Sequence, residues 1–231
     1  MLAVAYWAAR REGSEQCAER LARFMGHLGQ ISPHLGSWYE TGVTRRAAMQ
    51  APIEPERIRL RDLVDAGRHR DDTPRRRVID DLGFHVEIWS GDQPDGNDAS
   101  LSILCGAYSP HGACNHIIIE LPADWLDTDS AVGLIRSMVS CWSPTHAAVC
   151  SPEALDAVGG QAVVPVIDWV FFHRRPRQGQ LRAPSRVAFE LDGGECIVVQ
   201  DTPVRPDHVH ERARVRELAK QLGLLETPSQ G

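Results

Sequence analysis

Hydrophobic residues recur along this chain with two spacings, one typical of strands and one typical of helices. Alternation of apolar and polar residues over 84–89 predicts a strand, and apolar residues three or four positions apart over 17–28 predict one face of a helix. That helical face consists of Cys17, Leu21, Phe24 and Leu28. Cys17 is therefore predicted to be a buried small hydrophobic residue and not a nucleophile.

The same reading along the whole chain predicts a series of short elements. The predicted strands are 2–8, 84–89, 100–105, 115–121, 146–150 and 166–172, followed by a hairpin of 186–191 and 195–200 around Asp192-Gly193-Gly194. Helices are predicted to begin after a cap at Ser14 and to cover 56–69, 129–141, 152–158 and 206–222, and a further short helix is predicted to end at Leu82. Residues 29–55 are predicted to be a loop with a short strand near Gly36-Ser37-Trp38-Tyr39.

The order of these elements predicts the fold class. Three predicted strands follow one another over 84–121 with no helix between them, which favours α+β over an alternating α/β fold. We therefore expect a mainly antiparallel or mixed central sheet with flanking helices. A length of 231 residues suits one large domain over 1–231, with 185–231, a hairpin plus a helix, as a candidate C-terminal subregion.

Charge is unevenly distributed along the chain, although the net charge is only −6. Residues 78–135 contain no Lys or Arg and carry the acids Asp80, Asp81, Glu87, Asp92, Asp95, Asp98, Glu120, Asp124, Asp127 and Asp129. If several of these acids share a face, their field repels nucleic acid and attracts a basic protein. The alternative is a solvated face that only aids solubility.

Two tryptophans, Trp89 and Trp125, lie inside this acidic block. Aromatic residues surrounded by charge are typical of protein interfaces, and core packing is the alternative for each of them. Short arginine runs such as Arg45-Arg46 lack interleaved aromatic residues, and the pI is about 5.9, so no nucleic-acid partner is predicted.

A cluster of cysteine and histidine residues is the main candidate for catalysis. Its members are Cys105, His111, Cys114 and His116. These residue types suit zinc, and a metal-dependent hydrolase is therefore the alternative function. Structural zinc sites, however, have closely paired ligands, and an ordinary turn fits the spacing of these residues better. No C-x-x-C or G-x-S-x-G occurs, and Lys220 is the only lysine. We predict no catalytic residue, metal or cofactor.

Membrane association is not predicted either. No run of about 18 apolar residues occurs. Residues 1–9 are apolar but lack the preceding basic residues and the length of a signal peptide. We therefore expect a cytoplasmic protein.

Several short motifs, in this order and spacing, resemble the immunity protein 52 family of bacterial polymorphic toxin systems. The matching positions are Tyr6-Trp7, Arg11, Glu12, Ser14, Cys17, Ala18, Arg20, Trp38, Leu82-Gly83, Ile88-Trp89-Ser90-Gly91, Cys105-Gly106, Asn115, Leu121-Pro122, Trp142-Ser143-Pro144, Ala147, Val149 and Asp168-Trp169. Ser90 stands where the family pattern has Asn, and Asp168 where it has Gly.

This resemblance implies a non-enzymatic immunity protein that binds and neutralises a cognate toxin, often a nuclease of the restriction-endonuclease fold delivered by a secretion system. A nuclease presents a basic groove to phosphates, which an acidic protein surface can occupy. The residues that we predict to bind the toxin are Trp89, Asp92, Asp95, Asp98, Asp124, Trp125, Asp127 and Asp129.

Overall fold

A computed structural model describes residues 1–42, 44–54, 56–91, 98–109, 115–157, 166–174 and 187–203, and several positions between 208 and 218. Within these residues, nine strands form one sheet. They are β1 (Leu2–Trp7), β2 (Tyr39–Glu40), β3 (Phe84–Trp89), β4 (Ser100–Cys105), β5 (Asn115–Glu120), β6 (His146–Cys150), β7 (Val170–His173), β8 (Val187–Leu191) and β9 (Gly194–Val198).

All neighbouring strands of this sheet are antiparallel, in the order β2-β3-β4-β5-β1-β6-β7-β9-β8. The first strand of the chain is central because it pairs with β5 on one side and β6 on the other. The predicted α+β class is confirmed.

The helices that accompany the sheet in the described residues are α1 (Ser14–Ile31), α2 (Arg45–Ala48), α3 (Arg57–Ala66), α4 (Thr128–Trp142) and α5 (Pro152–Ala157). Helix α1 contacts both α3 and α4, so it lies between them over one face of the sheet, which we call the inner face. Its apolar stripe is fully buried there, and the predicted burial of Cys17 is confirmed.

The opposite, outer face of the sheet has two different halves. Over β1, β6, β7 and β9 it is apolar, and residues such as Val4 and Phe171 pack with Leu155 of α5 and with Leu218. Over β3, β4 and β5 it carries polar residues, among them His85 and Glu87. In the predicted final helix, residues 210, 211, 213, 215, 217 and 218 are helical and residue 208 is not, and the remaining residues lie outside the described part.

Local turn chemistry explains the hairpin of β8 and β9. Asp192 and Gly193 both have positive φ, 45° and 74°, as a two-residue type I′ turn requires. The sequence prediction of this hairpin is confirmed, and the hairpin extends the same sheet through β7.

Several predicted boundaries were wrong, and α2 (Arg45–Ala48) lies inside the stretch 29–55 that was predicted to be a loop with a short strand. Helix α1 has Gly13 as its N-cap, and the Gly13 N–H donates to Oε1 of Gln16, so Ser14 is already inside the helix. The short helix predicted to end at Leu82 is only the 3-10 turn Asp80–Leu82. The strand predicted over 166–172 begins later, at Val170, and the chain bends before it where Asp168 accepts a hydrogen bond from the Ser151 N–H.

Candidate functional site

The strand register brings part of the acidic block to one end of the sheet. Trp89, Ser100 and Glu120 lie side by side there, since each is the partner of the next across β3, β4 and β5. The chain then leaves β5 through the 3-10 turn Ala123–Trp125 and enters α4. This path brings Asp124, Asp127 and Asp129 close to Trp125 along the chain, and Glu120 ends the adjoining strand on the outer face of the sheet. We call these five residues the acidic end.

The four carboxylates of the acidic end are exposed. Among the residues that the structure describes, no cation lies within 4.0 Å of any of them. Other acids of the block are paired: Asp80 lies 3.6 Å from Arg68, and Asp98 lies 2.5 Å from Arg45. The block is therefore compensated in part by arginines from outside it, and the uncompensated charge is concentrated at the acidic end.

Asp127 has a structural role in addition to its charge. It is the N-cap of α4, and its carboxylate accepts a 2.8 Å hydrogen bond from the Ser130 N–H. A hydrogen bond with the Ser130 side chain, and then the one from the Ser130 backbone N–H, lower the pKa of Asp127 below its usual value. The carboxylate is therefore ionised throughout the neutral range.

Trp125 is half-buried, and its ring stacks on the ring of His34 with centroids 4.5 Å apart. One side of the ring packs against the main hydrophobic core, and this contact fixes the position of the ring. A fixed aromatic ring with a solvent-accessible side, close to several acidic residues along the chain, can serve as a preorganised anchor for a partner protein.

Trp89 is held more firmly than Trp125. Its indole N–H donates to the Glu40 carbonyl at 3.2 Å, and the guanidinium of Arg45 lies 5.1 Å from its ring centroid. Arg45 also donates to the Gly91 carbonyl, at 3.2 Å, and to Asp98. The predicted binding residues Asp92 and Asp95 lie outside the described residues.

The cysteine and histidine cluster is divided by the sheet. Cys105 is buried on the inner face beside Cys17, whereas His116 lies on the outer face with its ring 6.1 Å from that of Tyr6. The two side chains point to opposite sides of the sheet and cannot bind one ion. His111 and Cys114 lie outside the described residues. In the described part, no three His, Cys, Asp or Glu side chains converge as metal ligands.

The described cysteines are buried and free. Burial raises the pKa of Cys150 and Cys141, and raises the pKa of Cys196 to about 12. A hydrogen bond with Cys17, together with burial, also raises the pKa of Cys105. Thiols in such surroundings stay protonated at neutral pH and are poor nucleophiles.

A surface cavity of about 490 Å³ opens beside the acidic end. Its lining residues are Leu126, Asp127, Thr128, Asp129, Trp169, Asp201, Thr202 and Pro203. Sequence reasoning missed Trp169 and Asp201 as lining residues because they lie far from the acidic block along the chain.

The comparison with known families decides the identity of this fold. The model of the family "Immunity protein 52" matches residues 1–228. The chain belongs to the immunity protein 52 family. The solved Pseudomonas aeruginosa T6SS protein PA0821 is similar in fold, with a TM-score of 0.54 and 12% identity over 100% of this chain and 76% of that one. No curated protein matches the chain significantly.

Glu12 and Arg20 of the immunity protein 52 pattern, together with the neighbouring Arg10, form a clamp on the end of α4. Arg20 donates to the Cys141 carbonyl at 2.6 Å, and Arg10 donates to the Trp142 carbonyl at 3.1 Å. Glu12 lies between the two guanidinium groups, 2.9 Å from Arg10 and 2.8 Å from Arg20. The clamp satisfies carbonyls that a helix end leaves without donors, so this motif maintains the fold.

Three further positions of the immunity protein 52 pattern are also structural. The buried Asn115 side chain bonds both the N–H and the carbonyl of Ala107 and donates to the Ala8 carbonyl. Ser90, at the Asn position of the pattern, accepts from the Ala99 N–H. Asp168, at the Gly position, is buried and accepts from the N–H and hydroxyl of Ser151. Both departures therefore have hydrogen-bonding partners in this fold.

No described helix combines the length and the hydrophobicity needed to cross a membrane.

Proposed function

We propose that this protein is a non-catalytic, cytoplasmic immunity protein that neutralises a cognate toxin by binding it directly. Its membership of the immunity protein 52 family supports the immunity role. The name of the similar Pseudomonas aeruginosa structure, a T6SS protein, is the reason to propose a toxin delivered by a secretion system, although likeness at 12% identity concerns the fold alone.

The observation that carries the proposal is the acidic end. Its four exposed carboxylates have no cationic partner among the described residues, and three of them lie within four residues of Trp125, whose ring position is fixed. Mutual repulsion among uncompensated charges of one sign disfavours the compact fold, whereas the same charges speed encounter with a partner of the opposite sign. The partner that this surface fits is a basic protein.

A nuclease is the toxin class that we propose. Nucleases bind phosphates with Lys and Arg side chains, so their substrate groove is positively charged. The acidic end would occupy such a groove in place of the nucleic acid, with Trp125 in contact with the groove wall. Inhibition would then require occlusion alone and no chemical step.

The direct test is co-expression with the protein encoded beside this gene, with growth and complex formation measured together. We expect growth to be rescued and a stable complex to form whose Kd rises steeply with salt. Rescue without any complex would contradict direct neutralisation, and a complex insensitive to salt would contradict an acidic interface.

A further inference from the structure

The two outer edges of the sheet differ in how well the chain covers them. At one edge, β2 has only two residues, but the chain before β3 covers the other end of that strand. There the His85 N–H donates to the Gly67 carbonyl at 2.8 Å, and Arg68 forms a β-bridge with Phe84. At the opposite edge, β8 has five residues and, in the described part, pairs with β9 alone.

Strand β8 lacks the features that usually keep an edge strand from pairing. Natural proteins protect exposed edges with lysine, proline or a bulge. Val187–Leu191 contains no lysine or proline and a single charge, Glu190, and its register with β9 runs without a bulge. Val187 is 49% exposed, and Ala188 is exposed as well. The strand therefore presents a largely apolar edge that another strand can join.

The backbone groups at this edge follow from the turn that closes the hairpin. A two-residue hairpin ends on a hydrogen-bonded pair, here Leu191 and Gly194. Because hydrogen-bonded positions alternate along an antiparallel strand, the N–H and C=O groups of Ala188 and Glu190 point away from β9. Two donors and two acceptors thus face the open edge.

The side chains of β8 are complementary to a second copy of the same strand. Phe189 and Leu191 pack against the inner core, and alternation places Val187 on that face and Ala188 and Glu190 on the other. In an antiparallel pair centred on Phe189, the two Phe189 rings meet and each Val187 meets a Leu191. Each Ala188 then meets a Glu190, so no like charges lie directly opposite each other.

Phe189 is held in position for such a pair. The guanidinium of Arg136, on α4, lies 4.9 Å from the centroid of its ring. In the centred register, Phe189 occupies a non-hydrogen-bonded pair, where side chains of adjacent strands are closest. A ring that is already ordered loses little freedom when its partner arrives.

We propose that β8 pairs with β8 of a second copy of this chain, antiparallel about Phe189, so that two nine-stranded sheets join into one. Strands β1, β6, β7 and β9 separate β8 from β5, so the acidic end of each copy stays open. The dimer carries two acidic ends, and its formation does not depend on the proposed toxin-binding function.

Sedimentation velocity of the full chain over a range of concentrations tests the dimer. We expect the mass to approach twice 25.6 kDa at about 0.1 mM. Val187→Lys places a charge opposite Leu191 of the second copy and should raise the dimer Kd by at least about tenfold. Val78→Lys, at another exposed valine, is the control and should stay within about twofold of the parent.

Cross-linking tests the register. In a Cys114→Ser background, Ala188→Cys and Glu190→Cys chains are mixed with oxidised glutathione. Opposite residues of a hydrogen-bonded pair have Cα atoms about 5.5 Å apart, which suits a disulfide, whereas two copies of residue 188 lie on a diagonal of about 7–8 Å. We expect the mixture to cross-link at least about fivefold faster than either variant alone.

Each contrary outcome overturns the proposal. A monomer at every concentration, equal dimerisation of Val187→Lys and the parent, or a mixture that links no faster than its components would each do so. A monomeric parent whose toxin complex is lost in Val187→Lys would assign this edge to a strand of the toxin instead. A dimer without any toxin complex would overturn the proposed function and leave the pairing of β8 intact.

Discussion

Arg45 and Asp98 form an ion pair, with Nη1 2.5 Å from Oδ2, that joins α2 to the residue just before β4. The same guanidinium donates to the Gly91 carbonyl, so one side chain fixes both ends of the 92–97 segment. It also lies against the ring of Trp89. Part of the predicted toxin-binding set is therefore engaged within the protein, and the acidic end carries the charge that is left for a partner.

Replacement of Arg45 tests the strength of this connection. Arg45→Ala should lower the free energy of unfolding by about 1 kcal/mol, because it removes a partly exposed ion pair and a cation–π contact together. Urea denaturation gives the value. Arg46→Ala, on the exposed side of α2, is the control, with an expected change within about 0.5 kcal/mol. Equal effects of the two variants would refute this role.

The clamp on the end of α4 should affect stability and not toxin binding. Arg20→Ala should lower the free energy of unfolding by about 2 kcal/mol, because it removes the hydrogen-bond donor of the Cys141 carbonyl and one of the two arginines that pair with Glu12. Helix α4 separates the clamp from the acidic end by about 20 Å, so toxin affinity should stay the same.

Arg23→Ala, an exposed arginine of the same helix, is the control for the clamp variant, with an expected change in unfolding free energy of about 0.5 kcal/mol or less. A large loss of toxin affinity in Arg20→Ala, in protein that remains folded, would place the interface at the clamp and contradict the assignment to the acidic end.

The N-cap of α4 predicts a pH-dependent contribution to stability. The folded-state pKa of Asp127 is lowered below the usual 3.8, so its contribution is fully present above that value and is lost as the pH falls through the lowered pKa. Asp127→Ala should lower the free energy of unfolding by about 1 kcal/mol at pH 7, and Asp127→Ser should lower it much less, because serine is also a good N-cap residue.

Urea denaturation of Asp127→Ala and the parent protein at decreasing pH measures this effect. The difference in unfolding free energy between the variant and the parent protein should become smaller below pH 3.8. A difference that is the same at every pH would mean that the carboxylate charge does not contribute to the cap.

The buried thiols predict resistance to thiol reagents. In a Cys114→Ser background, which removes the cysteine outside the described residues, the folded protein should react with a disulfide reagent at pH 8 far more slowly than the unfolded protein does. The raised pKa values of Cys105, Cys150 and Cys196 and their burial are the reason. One rapidly reacting thiol in the folded protein would reopen the possibility of a cysteine nucleophile.

Elements with a strong local pattern could be predicted from the sequence. The alternation over 84–89 matches β3, the apolar stripe over 17–28 matches the buried face of α1, and Asp192-Gly193 marks a hairpin by turn chemistry alone. A short strand was predicted near Tyr39, but the pairing of β2 with β3 joins Tyr39 to the distant Trp89, and periodicity cannot predict such a pairing.

The candidate site was predictable only where it is local in sequence. The acids over 120–129 stay at one end of the sheet because β5, a 3-10 turn and α4 follow each other directly. Neutralisation of Asp98 by Arg45 and the contribution of Asp201 to the cavity arise from contacts between distant parts of the chain. Charge counting along the sequence cannot predict such contacts.

The most direct test of the central claim is the toxin affinity of Glu120→Lys/Asp124→Lys at low salt. Asp62→Lys/Asp72→Lys is the matched control, because it changes the net charge equally at exposed positions on the far side of α1. We expect the first variant to raise Kd by at least about tenfold, mainly through slower association, and the control to stay within about twofold of the parent. Equal affinities of the two variants would contradict the acidic end as the toxin-binding surface.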